Sequence, residues 1–450
     1  MTSIAKLGWC VGLALVCSCQ GGSAGKGNAA ASSSAPARSA ATSAASASSA
    51  PSAPSIAPGK VSVPWPPDAE LSRVARGCNA FGLSLWAEAS QPVSENLVLS
   101  PLALFSALSL LRVGAAANTE LELKQALHYE GPAESAFLGA TRAATSASDE
   151  ISLRLVARLF GEQSHAFKSS YVALSDSLGA PLSLLDIKHA PEAVREQINQ
   201  FVSQQTQAKI PDLLPAGSIA ADTRLVLGNA LTFSARWAEP FDPARTDTRS
   251  FYVSAHSSRD SKTLHRQGQF AFANVKGVKL LELPYAGAQY SMILVLPKQG
   301  EPVASLERQL KDGGVEAWLR QLGPSTVEVS IPKFQLETPR SLALGRSLAA
   351  LGIKSAFDAA AANFEPMNAS TSAEDRLSVA EVFQRSVVTL DESGTQAAAA
   401  TGVVMQAAGA ALPGEKPQEF RADRPFLFFI TDKAHGALLF LGRVVDPSGS

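Results

Sequence analysis

Six histidines, at positions 128, 165, 189, 256, 265 and 435, are the side chains of this sequence best suited to proton transfer or metal binding near neutral pH. None lies in an H-E-x-x-H pattern, and their spacing forms no metal-like cluster. The letters GGSAG, Gly21 to Gly25, match G-x-S-x-G. They sit in an Ala/Ser/Gly/Pro-rich stretch without the preceding strand and following helix that a nucleophile elbow requires. No Walker or dinucleotide glycine motif occurs. Motif spacing therefore points to no metal, no nucleotide, no other cofactor and no catalytic triad, and no enzyme activity is expected. Of four cysteines, Cys10, Cys17 and Cys19 fall at the N-terminus, so Cys78 is the lone thiol of the body and no internal disulfide can form there. A lone thiol of this kind is more often a packed or surface bystander than a nucleophile.

One stretch near the C-terminus stands apart for its lack of chemistry. The stretch TLDESGTQAAAATGVVMQAAGAALPGEKPQEF, residues 389 to 420, holds 22 uncharged residues between Glu392 and Glu415. A strand sends alternate side chains to opposite faces. Odd positions then read Thr395, Ala397, Ala399, Thr401, Val403, Met405, and even ones Gln396, Ala398, Ala400, Gly402, Val404, Gln406. The odd face is the more apolar and suits a core; the even face, with two glutamines, suits solvent. Small residues matter if the segment must slot between existing strands, because overpacking costs about 1 to 3 kcal/mol per bulky side chain. A buried unpaired charge would cost more. Gly394 would supply hinge freedom. AAAA alone favours helix, but TGVV follows and ends it. A plain loop tip or low-complexity insert is the competing reading, and the Gln, Thr and Gly content speaks against a membrane span.

The elements that would position such a segment come in a recognisable order. With 450 residues, 46% of them hydrophobic and 18% charged, the chain can bury a sizeable core. Thirty-nine basic residues against 40 acidic ones leave no charge bias toward nucleic acid or an acidic surface. Residues 1–18 read as an export signal: Lys6, an apolar run from Leu7 to Val16, then Val16-Cys17-Ser18-Cys19, which is similar to a bacterial lipoprotein signal. Cys19 is then the lipidated residue, a plain secretory signal being the alternative. Residues 19–64, nearly all Ala, Ser, Gly and Pro, cannot bury enough apolar surface to fold and read as a tether of about 35 Å root-mean-square span. The expected location is exported: the cell envelope or outer membrane by a lipid anchor alone, or the extracellular medium.

From Trp65 onward helical and strand patterns alternate without a second linker, so residues 65–447 read as one mixed α+β domain. Pro101 to Leu127 reads as a helical hairpin, capped by Ser100, broken at Gly114 and restarting at Asn118-Thr119. Strand patterns follow at 151–160, 223–233, 278–285, 290–297, 327–337 and 385–391, with two closing apolar runs, PFLFFIT and ALLFLGRVV.

NLVLSPLALFSALSLLRVGAAANTELELKQAL, LLPAGSIAADTRLVLGNALTFSARWAEPFDP, LELPYAGAQYSMILVLP, ADRPFLFFITD and LFLGRVVDP resemble, in order and spacing, the signatures of the serpins. The resemblance implies a fold of three β-sheets and about nine helices with an exposed reactive-centre loop, here about residues 392–420. It implies a protease bait that is cut and then inserts as a new central strand, trapping the acyl-enzyme. The partner implied is a serine protease, the inhibitor a monomer. The hinge would be Glu392, Gly394, Thr395, Ala397, Ala398, Ala399, Ala400 and Thr401. Counting from Glu392 as the family does places the scissile bond at Ala408-Gly409. No Arg or Lys occurs between 386 and 415, and the flanking alanines suit an elastase-like pocket; subtilisin- and chymotrypsin-like enzymes are the alternatives. The sheet-opening switch would comprise Ser100, Asn229, Trp237, Lys333 and Gln384. Two departures stand out: the family's serine three residues after Ser100 is Ala103, and its histidine is Gln384, which could reach Asn229 or Ser100. A non-inhibitory binding or chaperone module of the same fold is the alternative function.

Overall fold

The computed structural model of the chain describes residues 60–145, 150–311, 314–337, 341–370, 372, 375–395 and 416–448. The export signal, Cys19 and nearly all of the tether lie outside these residues, as does GGSAG. The first half is mostly helical: α1 (Asp68–Ala89), the short strand β1 (Leu97–Leu99), α2 (Pro101–Val113), α3 (Ala117–Ala126) and α4 (Ala133–Ala143). The expected helical hairpin is present, with its second helix starting at Ala117, one residue before the Asn118-Thr119 signal. Ser100 caps α2 by accepting from the Ala103 amide, and Pro101 occupies the first turn, where no amide donor is needed. Every residue of α2 from Pro101 to Arg112 is buried, so α2 is a core helix and not an amphipathic surface one. Cys78 is fully buried in α1, and burial pushes its thiol pKa up, which fits a packing role.

Next come β2 (Ile151–Glu162), α5 (Ser169–Ser177), β3 (Ser183–Leu185), α6 (Pro191–Gln205) and β4 (Leu225–Arg236). Strands then dominate: β5 (Asp247–Ser254), β6 (Ser257–Val275), β7 (Val278–Pro284) and β8 (Tyr290–Leu296). Helices α7 (Ala304–Lys311) and α8 (Gly314–Leu319) lead to β9 (Gly323–Pro332), β10 (Phe334–Glu337), β11 (Leu342–Ala343) and α9 (Gly345–Ala350). The chain closes with β12 (Val382–Leu390), β13 (Gly394–Thr395), β14 (Gln418–Arg421), β15 (Phe426–Asp432) and β16 (Leu438–Val444).

One sheet has the order β10-β12-β13-β4-β2-β3, with β11 on β12. The other has the order β1-β16-β15-β8-β7-β6-β9-β14, with β5 on β6. The second and third of the expected sheets are thus joined, because the 19-residue β6 pairs with β7 at one end and with β9 and β5 along the rest. Strands β8, β15 and β16 are buried along their whole length, which explains why they read as continuous apolar runs. Arg443 of β16 is 1% exposed and is held by Glu307 at 2.5 Å and by the carbonyls of Ser90, Pro92 and Glu95. A buried guanidinium is tolerated only with such complete pairing.

Candidate functional site: a seam in the seven-stranded sheet

β4 and β12 run parallel and pair from Leu227–Val382 to Thr232–Val387. Beyond that point they part. The two-residue strand β13 fills the gap, antiparallel to both: Thr395 pairs with Leu390 on one side and with Ala235 on the other, and Gly394 pairs with Arg236. The hinge is therefore already seated in the sheet by its first two residues. This corrects the expectation of a wholly exposed loop from residue 392, and at the far end the chain is again a strand, β14, from Gln418.

Local chemistry explains the seating. Thr395, first of the odd-numbered set, is fully buried, and its hydroxyl lies 2.6 Å from the Tyr285 hydroxyl. Tyr285 stacks on Trp237 with ring centroids 4.6 Å apart and an interplanar angle of 12°. Burial raises the Tyr285 pKa far above its ordinary value, so the phenol stays neutral and available as a hydrogen-bonding partner. Trp237 holds the turn before β13 by its indole N–H to the Asp391 carbonyl (3.0 Å) and its backbone N–H to the Ser393 carbonyl (2.9 Å). Gly394 is needed here for a reason other than hinge freedom. A Cβ at this position would overlap the Ala235 carbonyl oxygen and come within 2.8 Å of the Arg236 Cα.

Glu392 sits one turn earlier. Its carboxylate accepts from Lys333 Nζ at 2.7 Å and from the Thr246 hydroxyl at 2.9 Å. Burial works to raise its pKa, but the bonds from Lys333, its own backbone and Thr246 outweigh that and hold it below its ordinary value. Lys333 is the residue that separates β9 from β10, where sequence periodicity reads one strand over 327–337.

Midway along the paired part of the seam, Gln384 is fully buried and clasps the backbone of Ser100. Its amide oxygen accepts from Ser100 N (3.1 Å) and its amide nitrogen donates to Ser100 O (2.8 Å). A longer contact of 3.5 Å reaches Asn229 Oδ1, while Asn229 Nδ2 donates to the Phe383 carbonyl at 2.7 Å. Gln384 thus reaches both residues anticipated for it. The Ser100 hydroxyl donates to Leu439 O, which ties the start of α2 to β16 behind the sheet.

The structure brings Glu392, Gly394, Thr395, Trp237 and Lys333 together at the mouth of the seam, and Ser100, Asn229 and Gln384 at its middle. Ala397, Ala398, Ala399, Ala400, Thr401, Ala408 and Gly409 lie outside the described residues, as does Cys19. Tyr285 and Thr246 were not anticipated. Their proximity to the hinge arises across long sequence separations that no local pattern reports.

One hydrogen-bonded Ser–His–Asp series was not anticipated from the sequence. His265 of β6 lies 3.0 Å from Ser330 Oγ through Nδ1 and 2.8 Å from Asp247 Oδ1 through Nε2. The three positions carry no sequence signature because they come from three strands, β9, β6 and β5, paired through a sheet register.

The family profile described as Serpin (serine protease inhibitor) matches residues 76–447. The leukocyte elastase inhibitor of Bos taurus is 35% identical over 362 residues, spanning 78% of this chain and 93% of that protein. Serpin B9 of Homo sapiens is 35% identical over 361 residues, spanning 79% and 94%. Among solved structures, uncleaved ovalbumin superposes with a TM-score of 0.74 at 26% identity, covering 83% of this chain and 100% of that one. Serpin48 of the insect Tenebrio molitor gives a TM-score of 0.71 at 29% identity, with 83% and 98% covered. The names attached to these relatives replace a negative expectation, no enzyme, by a positive one: a role as inhibitor of an enzyme.

Proposed function

The chain belongs to the serpin family, the serine protease inhibitors, and from that premise we propose that it is a suicide inhibitor of elastase-like proteases. The observation that carries this reading is the wedge of β13 between β4 and β12. A seam already parted at one end, and occupied by the first hinge residues, is a start site from which a cut loop can zip inward. The protease supplies the nucleophile. Cleavage at Ala408-Gly409 would free residues 396–408 to follow Thr395, forming backbone hydrogen bonds to both neighbours. At about 1 kcal/mol net per bond, the gain is on the order of ten kcal/mol. The uncut form would persist behind a kinetic barrier. An acyl-enzyme dragged along with the strand would lose the geometry needed for deacylation.

Preference for small apolar residues at the cut follows from the alanines at 407, 408, 410 and 411, and six relatives bear the name leukocyte elastase inhibitor or leukocyte elastase inhibitor A. We also propose lipidation at Cys19 after removal of residues 1–18, which would hold the inhibitor at a cell envelope. Fractionation tests the anchor, which recovery solely in the soluble medium would exclude.

The inhibitor reading is tested by mixing the protein with pancreatic-type elastase beside Thr395→Arg, followed by denaturing gels and mass spectrometry. A covalent complex for the native chain, a released peptide beginning near Gly409 and simple cleavage of the variant are expected. Cleavage of both without a complex, and without a gain in thermal stability, would favour the non-inhibitory binding or chaperone module.

A further inference from the structure

Ser330 and His265 line a cleft of about 170 Å³ on the β5-β6-β9-β14 part of the nine-stranded sheet, with Arg249, Arg421 and Glu328 among its other walls, and Asp247 bonds to His265 from beside it. The cleft is distinct from the seam and none of these groups serves the hinge. A carboxylate only accepts, so the imidazole nitrogen facing Asp247 carries the proton. In the neutral ring Nδ1 is then left to accept from the Ser330 hydroxyl. That is the tautomer a general base requires. Asp247 is in turn held by Arg249, whose Nε lies 3.0 and 2.9 Å from its two oxygens. The hydrogen bond from Arg249, then that from His265, brings the Asp247 pKa down to about 2, so it stays ionised.

We propose that this cleft is an acyl-transfer site in which Ser330 is the nucleophile, His265 the general base and Asp247 the positioning residue, acting on small activated carboxylic esters. Ser330 Oγ would bond to the ester carbonyl carbon as its proton passes to His265. Collapse breaks the bond to the leaving alkoxide, which takes that proton and departs as the alcohol. Water, deprotonated by the same His265, would then release the acid and restore the Ser330 hydroxyl. β9 is paired on both sides, by β6 and β14, so its backbone amides are committed to the sheet. Oxyanion stabilisation would fall instead to Arg421, the register partner of Ser330, which lines the cleft and also pairs through Nε with Asp423 at 3.2 Å; Arg249 is taken up by Asp247. The cleft's volume admits a short acyl group.

The test uses the full chain with p-nitrophenyl acetate and peptide mass mapping. Acetyl transfer to Ser330 is expected, with a rate about a hundredfold above that of Ser330→Ala and a comparable loss in His265→Gln. Asp247→Asn should lower the acylation rate constant while leaving KM for the ester nearly unchanged, a split that a general loss of structure would not produce. A fluorophosphonate ester mapped on the native protein gives an answer independent of how the variants fold. Label confined to lysines, or an unchanged rate in Ser330→Ala of native thermal stability, would overturn the proposal.

Discussion

Glu392 and Lys333 form a pair whose contribution depends on pH in a definite direction. The Glu392 pKa is lowered in the folded state. Its stabilising contribution is therefore present above the ordinary carboxylate range, near 4.3, and is lost as pH falls through the folded value. Melting measured between about pH 3 and 7 should show the native protein losing this increment in acid, and Lys333→Met lacking most of it throughout. Because both side chains are partly exposed, the loss at neutral pH should be about 1 kcal/mol. Gly394 makes a sharper case. Gly394→Ala places a methyl group against the Ala235 carbonyl and should expel β13 from the seam. Hydrogen exchange at the Thr395 amide, slow in the native protein, should become fast. The identity of these residues was legible from the resemblance, but the steric reason for the glycine was not, because contact with Ala235 is a fact of packing.

At the scale of elements, the seam between β4 and β12 is fastened by side-chain amides. Gln384→Ala would leave the Ser100 amide buried without a partner, costing about 1 to 3 kcal/mol, while the Ser100 carbonyl keeps the Leu104 amide. A lowered melting temperature with easier sheet opening is expected, measured by calorimetry and by faster hydrogen exchange of the paired β4 and β12 amides. The β13 register also predicts the inserted state. Six residues further along each strand, the position of Thr401 falls between Gln384 on β12 and Asn229 on β4. In the cleaved protein the Thr401 hydroxyl should bond to these two amides. Thr401→Val should leave the uncut protein unchanged and reduce the stability gained on cleavage by about 1 to 3 kcal/mol. Most strands were legible because they alternate or run apolar. β5 and the first part of β6, DTRSFYVS and SSRDSKTLHRQGQ, were not, since polar residues crowd both faces and the order comes from pairing with each other and, from Thr263 onward, with β9.

For the whole molecule, the proposed mechanism makes the uncut chain a metastable state and the cut chain the more stable one. Limited cleavage within residues 396–415 should raise the melting temperature by tens of degrees, since a gain on the order of ten kcal/mol is large beside the usual 5 to 15 kcal/mol of folding. Thr395→Arg, cut at the same bond, should show little rise, because a charged side chain cannot follow into the site beside Tyr285. Calorimetry of the two cleaved proteins side by side checks this.

What the amino-acid order determined by itself was the local vocabulary. It set the α2–α3 hairpin from its cap and glycine, the buried strands β8, β15 and β16 from their apolar runs, and the small uncharged character of residues 393–414. Those are effects of neighbours along the chain, where periodicity and side-chain size suffice. Only the tertiary structure decided that Gly394 and Thr395 already occupy the seam, that Tyr285 receives Thr395, that Gln384 grips Ser100, and that Ser330, His265 and Asp247 form a hydrogen-bonded series. Each of these joins residues at least 18 positions apart in sequence, or two strands that meet only through sheet register. Hydrogen bonds and steric exclusion act over a few ångströms of space, and separation along the chain does not encode which residues will come within that range.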